Sequence, residues 1–304
     1  MAGYTDRITR EIALRYGAHL AFTEMVSAEG LVRGGRRSRL MTARAAGESL
    51  LAVQLFGRDA EVLGRAAAAA AEAGADLVDL NAGCPVAKVV RKGAGAAMMR
   101  DPDLIARSVK AMRQAGRPVT VKIRVGWDEG EPNWPEVAAA AEEAGAAALA
   151  FHPRTREQAY GGRADWSLIA RLVESVSIPV IGSGDLEDPE SVGRMVDETG
   201  CAAVMIARGA VGNPWIFSRT LGMAVGGAVP PPPDAGDRCA AALAHLEGAA
   251  DLYGPEAASR LIKKHLNGYI RGWESAVRLR RLLMSAESVE AMRELLQAGS
   301  PPSR

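Results

Sequence analysis

The first two thirds of the chain repeat one phrase: a short apolar, β-branched run, a loop, then an alanine-rich segment with an apolar stripe. Candidate strands lie at 19–25, 51–55, 77–80, 119–123, 147–151, 179–181 and 203–206, each bounded by Gly, Pro or Asp. Short continuous apolar runs of this kind suit strands buried on both faces of a parallel sheet. Helices fit between them at 5–16, 59–73, 102–114, 135–144, 166–175 and 189–198. Pro102, Pro135 and Pro189 stand where a first-turn proline is tolerated, and Gly74, Gly116, Gly145 and Gly200 follow helix ends. A strand–helix unit of about 25 to 40 residues points to a (β/α)8 TIM barrel of α/β class, with a doubly wound open sheet as the alternative.

Seven strands are counted rather than eight, and Met1-Ala2-Gly3 runs directly into a helix. A closed barrel leaves no free edges. The barrel's first strand is therefore expected to precede residue 1, with the given start internal to a longer reading frame. The barrel is expected over 1–224, followed by a stiff Gly/Pro linker at 225–236 that contains Pro230 to Pro233. A small all-helical C-terminal domain is expected over 237–304.

Charge decides among partners. Lys and Arg total 37 against 36 Asp and Glu, a formal net charge of +1 that excludes a uniformly basic nucleic-acid binder. Residues 260–281 nevertheless hold seven basic side chains against one acid, Glu274. The alanine run at 66–71 falls far short of a bilayer span, and no signal segment opens the chain, so a cytoplasmic protein without membrane partners is expected. Three scattered cysteines, Cys84, Cys201 and Cys239, exclude a disulfide scaffold and a four-cysteine zinc site. No metal is expected.

In a barrel the chemistry collects where strands end. The third candidate strand runs into Asn81-Ala82-Gly83-Cys84-Pro85, then Lys88 and Lys92. A thiol on a Gly/Pro-fixed loop is placed to act as nucleophile or proton donor, whereas Cys201 and Cys239 read as packing residues. Lys122 and Arg124 alternate onto one face of the next strand, and a cation aimed inward needs an anionic or electron-rich partner. His152, with Arg154 beyond it, and Gln54 occupy two more strand ends. The turns Gly182-Ser183-Gly184-Asp185 and Ala207-Arg208-Gly209-Ala210 follow the last two strands, the recurrent phosphate position of barrels. The N-terminal turn lacks a Gly-x-Gly-x-x-Gly pattern, which favours a mononucleotide such as FMN.

These residues resemble the dihydrouridine synthases, flavin enzymes that reduce uridine in tRNA, and in particular their bacterial B-type branch. The resemblance is carried by Met1-Ala2-Gly3-Tyr4-Thr5-Asp6, Gln54-Leu55-Phe56-Gly57, Asp79-Leu80-Asn81-Ala82-Gly83-Cys84-Pro85 and Val121-Lys122-Ile123-Arg124. His152-Pro153-Arg154-Thr155-Arg156, Tyr160 through Trp166, Arg208 through Trp215, and Lys264-His265-Leu266 with Tyr269 and Gly272 extend it over nearly the whole chain. It implies that Cys84 is the general acid that protonates C5 of uracil while reduced FMN, regenerated by NADPH, delivers hydride to C6. It further implies that Gln54, Lys122 and His152 bond the flavin, that Ser183, Gly184, Asp185, Ala207 and Arg208 lie on its phosphate side, and that Met1 and Ala2 run against it. Asn81, Lys88 and Arg154 would face the flipped uridine or its phosphates. Lys263, Lys264 and Arg271 would grip tRNA, whose target base must be unstacked; a monomer is expected.

Three features depart from the family pattern: no proline or strand precedes the Met-Ala-Gly motif, Ser183 replaces a more usual asparagine, and Pro153 a usual glycine. Two rival readings stand beside this one. A barrel of the dihydroorotate dehydrogenase type would act on a free pyrimidine, and a barrel without flavin would merely bind RNA. A basic helical domain argues against the first, because a small substrate needs no such surface.

Overall fold

The computed structural model describes residues 1–299; residues 300–304 of the expected helical domain lie outside the described residues. Among the described residues eight short strands form one sheet: β1 (Ala21–Phe22), β2 (Val26–Ser27), β3 (Leu51–Phe56), β4 (Leu77–Asn81), β5 (Val119–Arg124), β6 (Ala148–His152), β7 (Val180–Gly182) and β8 (Ala203–Val204). Every pairing is parallel, and β3 to β8 follow one another in chain order. An order without reversal is that of a barrel wall and excludes the doubly wound alternative, whose strand order switches direction about its first strand.

β1 and β2 both pair with β3, so the single strand expected at 19–25 is broken. The break is local chemistry: the Thr23 hydroxyl accepts from the Gln54 N–H at 3.1 Å and donates to the Glu24 carbonyl at 2.8 Å. Among the described residues β8 pairs only with β7 and not with β1.

The helices named next cover the sheet and its loops. They are α1 (Arg7–Arg15), α2 (Ala28–Val32), α3 (Arg36–Met41), α4 (Ala60–Glu72), α5 (Ala87–Val90), α6 (Pro102–Arg113), α7 (Trp134–Glu143), α8 (Ser167–Ser175) and α9 (Pro189–Thr199). Asp59, Asp101 and Asp188 cap α4, α6 and α9 through side-chain oxygens, satisfying first-turn N–H groups. Alanine on α4 does more than favour helix. Ala66, Ala67 and Ala70 are fully buried, and a Cβ on Gly64 would meet the Ala111 carbonyl oxygen at 3.1 Å. Small side chains thus let α4 and α6 approach closely, and the core of Leu51, Val53, Leu63, Leu80, Val121 and Phe151 closes beneath them.

A second core lies in α10 (Trp215–Ala224), α11 (Ala235–Tyr253), α12 (Pro255–Leu261), α13 (Lys263–Tyr269), α14 (Ala276–Ser285) and α15 (Val289–Gly299). Leu246, Ile262, Leu266, Tyr269, Leu283 and Met292 fill it, and Trp215 already belongs to it. The helical part meets the barrel part through α1, where Tyr253 donates to Asp6 at 3.1 Å, and at two glycines. A Cβ on Gly268 would overlap the Val211 carbonyl and stand 2.9 Å from the Gly212 Cα, so the two backbones cross with no side chain between them. No helix among the described residues is long and apolar enough to cross a membrane.

Candidate active site

The parallel strands all end on one face, and polar side chains crowd there. A chain of hydrogen bonds starts at Asp79, fully buried inside β4. Its carboxylate accepts from the Thr120 hydroxyl at 2.6 Å and from the Gln54 amide at 2.8 Å. Because an ionised carboxylate only accepts, it fixes which end of the Gln54 amide faces it. The Gln54 Oε1 then accepts from Asn81 Nδ2 at 2.9 Å, and Asn81 Oδ1 accepts from the Cys84 N–H at 2.9 Å and the Gly83 N–H at 3.3 Å. Each link therefore orients the next, and the last shapes the loop that carries the thiol. Burial pushes Asp79 up to about 6, although the bonds from Thr120 and Gln54 and the nearby Lys122 act against it.

Cys84 is 9% exposed. Burial pushes its thiol above the ordinary range, outweighing the opposite influence of the Val86 N–H and Arg124. At neutral pH the group keeps its proton. Gly95 (φ +61°) lets the following segment pass directly under the Cys84 carbonyl, from which a Cβ would lie only 2.8 Å away. Arg124 secures the same loop, donating from Nε to the Gly83 carbonyl at 2.8 Å and from its terminal nitrogen to the Thr155 carbonyl at 2.9 Å. Arg124 is thus a site residue beyond those the sequence assigns a role; its one signal there is the i, i+2 alternation with Lys122.

Lys122 extends from β5 into the mouth. Its ammonium has neither a hydrogen bond nor an ion pair among the described residues. Burial, and repulsion from Arg124, lower it to about 8, with Asp79 pulling the other way. His152 is driven far below its usual range by burial and by Lys122, Arg124, Arg154 and Arg208, so it is neutral. Arg154 stands 3.1 Å from His152 Nε2. A guanidinium can only donate, so Nε2 accepts and the ring proton sits on Nδ1. That Nδ1–H has no acceptor among the described residues.

Arg154 is 1% exposed and also donates to the carbonyls of Gly161 and Gly162 and to Asp185, at 2.9, 2.7 and 2.7 Å. Its guanidinium is committed to holding these loops, as Asn81 is to the thiol loop, and neither group stands free toward a substrate. Asp185 (φ +56°) accepts from Arg154, from the Ala164 N–H at 2.8 Å and from Arg208 at 3.0 Å. Burial raises its carboxyl, but these partners prevail and hold it below the usual carboxylate range. Ser183 gives its hydroxyl proton to the Met205 carbonyl at 3.1 Å. The main-chain N–H groups of Gly184, Asp185 and Ala207 have no acceptor among the described residues. Gly184 (φ +129°) has no room for a side chain, since a Cβ would press on Ala164 and His152 at 2.9 and 3.0 Å. The result is a tightly packed turn whose main-chain donors lack acceptors among the described residues, with Arg208 held at its edge by Asp185, an arrangement that can take an anion.

The other expected residues fall in three places. Met1 lies within electrostatic reach of Lys122 and Cys84, with Ala2 exposed beside it. Lys88 is exposed on α5, just past the thiol loop. On α13 and beyond, Lys264 lies over the Tyr4 ring at 5.1 Å and Arg271 is exposed, while the Lys263 ammonium donates to the Met284 carbonyl at 2.8 Å. Among the described residues no group of three or more His, Cys, Asp or Glu side chains could hold a metal ion.

Comparison with known proteins gives the family and the fold. The family model described as dihydrouridine synthase matches residues 1–300. A protein of Xanthomonas campestris pv. campestris named tRNA-dihydrouridine synthase B is 39% identical over 99% of this chain and 93% of its own. A probable tRNA-dihydrouridine synthase of Treponema pallidum is 40% identical over 90% of this chain and 83% of its own. Among solved structures, the old yellow enzyme homologue from Zymomonas mobilis shares 14% identity and a TM-score of 0.53 over 74% of this chain and 87% of its own. This last likeness concerns the fold alone and is that of a (β/α)8 barrel.

Proposed function

The chain belongs to the dihydrouridine synthase family, and we propose that it reduces the C5=C6 bond of specific uridines in tRNA, using FMN regenerated by NADPH and a proton from Cys84. The observation that carries this reading is a thiol kept protonated on the loop after β4, next to the strand end from which the Lys122 ammonium extends without a hydrogen bond or ion pair among the described residues.

The residues present fit FMN. An unpaired cation in a half-buried mouth needs a negative or electron-rich partner, and Lys122 would meet the polar edge of the flavin ring. His152 would add its Nδ1–H, and Gln54 the amide hydrogen that Asp79 does not take. The turns at Gly184, Asp185 and Ala207, with Arg208 at their edge, would hold the phosphate through main-chain N–H groups. Ser183, whose proton is already engaged, can only accept there. Met1, whose amino group lies within electrostatic reach of Lys122, and Ala2 would close that side.

When bound and reduced, FMN supplies hydride to C6 of the uracil. Cys84 supplies the proton to C5, so the pyrimidine double bond is lost with charge balanced, and the thiolate left behind regains a proton from water. The Asp79–Gln54–Asn81 chain keeps the thiol loop in place during the transfer. Arg154 and Asn81 act in this reading through the loops they hold, while Lys88 is free to meet the substrate. Residues 1–224 would bind FMN, 225–236 would link, and 237–304 would hold tRNA through Lys263, Lys264 and Arg271. Two hydrophobic cores support two units, although Trp215 of α10 packs into the second, so the core boundary falls before residue 225.

The test is the Cys84→Ala protein. It should retain FMN and oxidise NADPH while forming dihydrouridine in tRNA at least about a hundredfold more slowly, the usual range for a lost general acid. Undiminished product would remove the thiol from the mechanism. Turnover of free orotate or uridine by the unaltered protein, with none on tRNA, would favour a free-pyrimidine enzyme instead.

A further inference from the structure

The mouth carries a second basic surface, distant in sequence from the helical part. The sheet order sets β2, β3 and β4 side by side, and the loops leaving their C-terminal ends touch in turn. A Cβ on Gly57 would stand 3.3 Å from the Ala28 Cβ, and one on Gly93 3.2 Å from the Arg58 Cδ. These three loops therefore form one continuous rim, and the last of them is the loop of Cys84.

No Asp or Glu occurs in residues 30–47 or 83–94. Arg36, Arg37, Arg58, Lys88, Arg91 and Lys92 are all exposed, and none forms an ion pair among the described residues. The carboxylates on these loops do little to neutralise them. Glu29 pairs with Arg33 at 3.6 Å, which leaves Asp59, the cap of α4, and Glu61 against the six cations. A chain with a formal net charge of +1 thus concentrates unneutralised cations on one arc beside its thiol. Like charges held together repel unless a polyanion lies across them.

We propose that this arc is a second docking surface for tRNA, holding backbone phosphates of a limb outside the nucleotide being reduced. The proposal rests on the reading of RNA as substrate. Charge complementarity selects the occupant: six cations spread over three loops exceed what one nucleotide's phosphate can neutralise, whereas an RNA backbone presents fixed charges at successive positions. The arc flanks the thiol along β2 to β4, while Lys264 reaches the mouth from α13 over Tyr4. The substrate would then be held by two surfaces with the target base between them.

The experiment measures binding of a tRNA transcript to the FMN-loaded full-length protein across a salt series. One variant carries Arg36→Glu with Arg37→Glu; a second carries Arg58→Ala, Arg91→Ala and Lys92→Ala. Each should weaken binding about tenfold or more at low salt and lower the slope of log K against log salt by roughly 0.7–0.9 for each phosphate left unneutralised. FMN content and NADPH oxidation without RNA should stay at the unaltered level, and Arg36→Lys with Arg37→Lys should retain binding. Wild-type affinity and slope in both variants, while the unaltered protein binds and reduces tRNA, would overturn the arc alone. Failure of the unaltered protein to bind tRNA at all would overturn the functional reading and the arc with it. Loss of phosphatidylserine-vesicle binding in the variants, with tRNA binding unchanged, would reassign the arc to a membrane surface and overturn the proposal.

Discussion

Arg10 and Glu48 meet where neither side chain is more than 1% exposed, 2.9 Å apart, and the guanidinium also donates to the Ala43 carbonyl. Removing one partner leaves a buried charge uncompensated, which generally costs about 3–5 kcal/mol. Glu48→Ala should lose stability of that order, read as a lower urea midpoint. Lys122 offers a test of a different kind. Its folded value lies near 8, below that of an ordinary lysine, so the cation is present in acid and lost as pH rises through about 8. FMN affinity of the apoprotein, followed by fluorescence quenching, should fall across that range. Lys122→Arg should move the fall to higher pH, because the guanidinium stays charged. At this scale the sequence shows which residues end strands but not how their donors are distributed. The family resemblance turns Arg154 toward the substrate, yet the side chain bonds His152, Gly161, Gly162 and Asp185, because loops remote in sequence converge on it.

Elements are legible where a single period runs long enough and obscure where it does not. α4, α6 and α9 match their expected spans within a few residues, having capping aspartates and apolar stripes. β4, β5 and β6 each run one residue further than expected, to Asn81, Arg124 and His152. Apolar runs stop at polar residues, but the ladder does not, and those terminal residues belong to the site. The short helices α2, α3 and α5 leave no trace in the pattern, because four to six residues show no period. Between elements, the glycine crossing at Gly212 and Gly268 invites a direct trial. Gly268→Ala must push two backbones apart, which in a packed interior costs about 1–3 kcal/mol. The variant should melt earlier and reduce tRNA more slowly, with NADPH oxidation nearly unaffected.

Across the whole molecule, a net charge near zero conceals cations gathered about the mouth. Arg271 is exposed and Lys264, half-buried over Tyr4, makes no hydrogen bond or ion pair among the described residues, whereas Lys263 is engaged with the Met284 carbonyl. Lys264→Ala and Arg271→Ala should each lower the salt slope of tRNA binding by roughly 0.7–0.9, and Lys263→Ala by much less. The barrel class is legible from the repeated strand–helix phrase, and the helical tail from its continuous 3- and 4-residue spacing. How the tail sits is not, since it depends on contacts remote in sequence: Tyr253 on Asp6, Lys264 over Tyr4, and a glycine crossing whose residues carry no side chain. Main chain resting on main chain has no rotamers to yield, so the crossing at Gly212 and Gly268 works as a caliper set to one opening. An RNA whose bend does not match that opening would touch both jaws and still fail to bring its base to the sulfur, and selection among uridines would follow from shape rather than from letters.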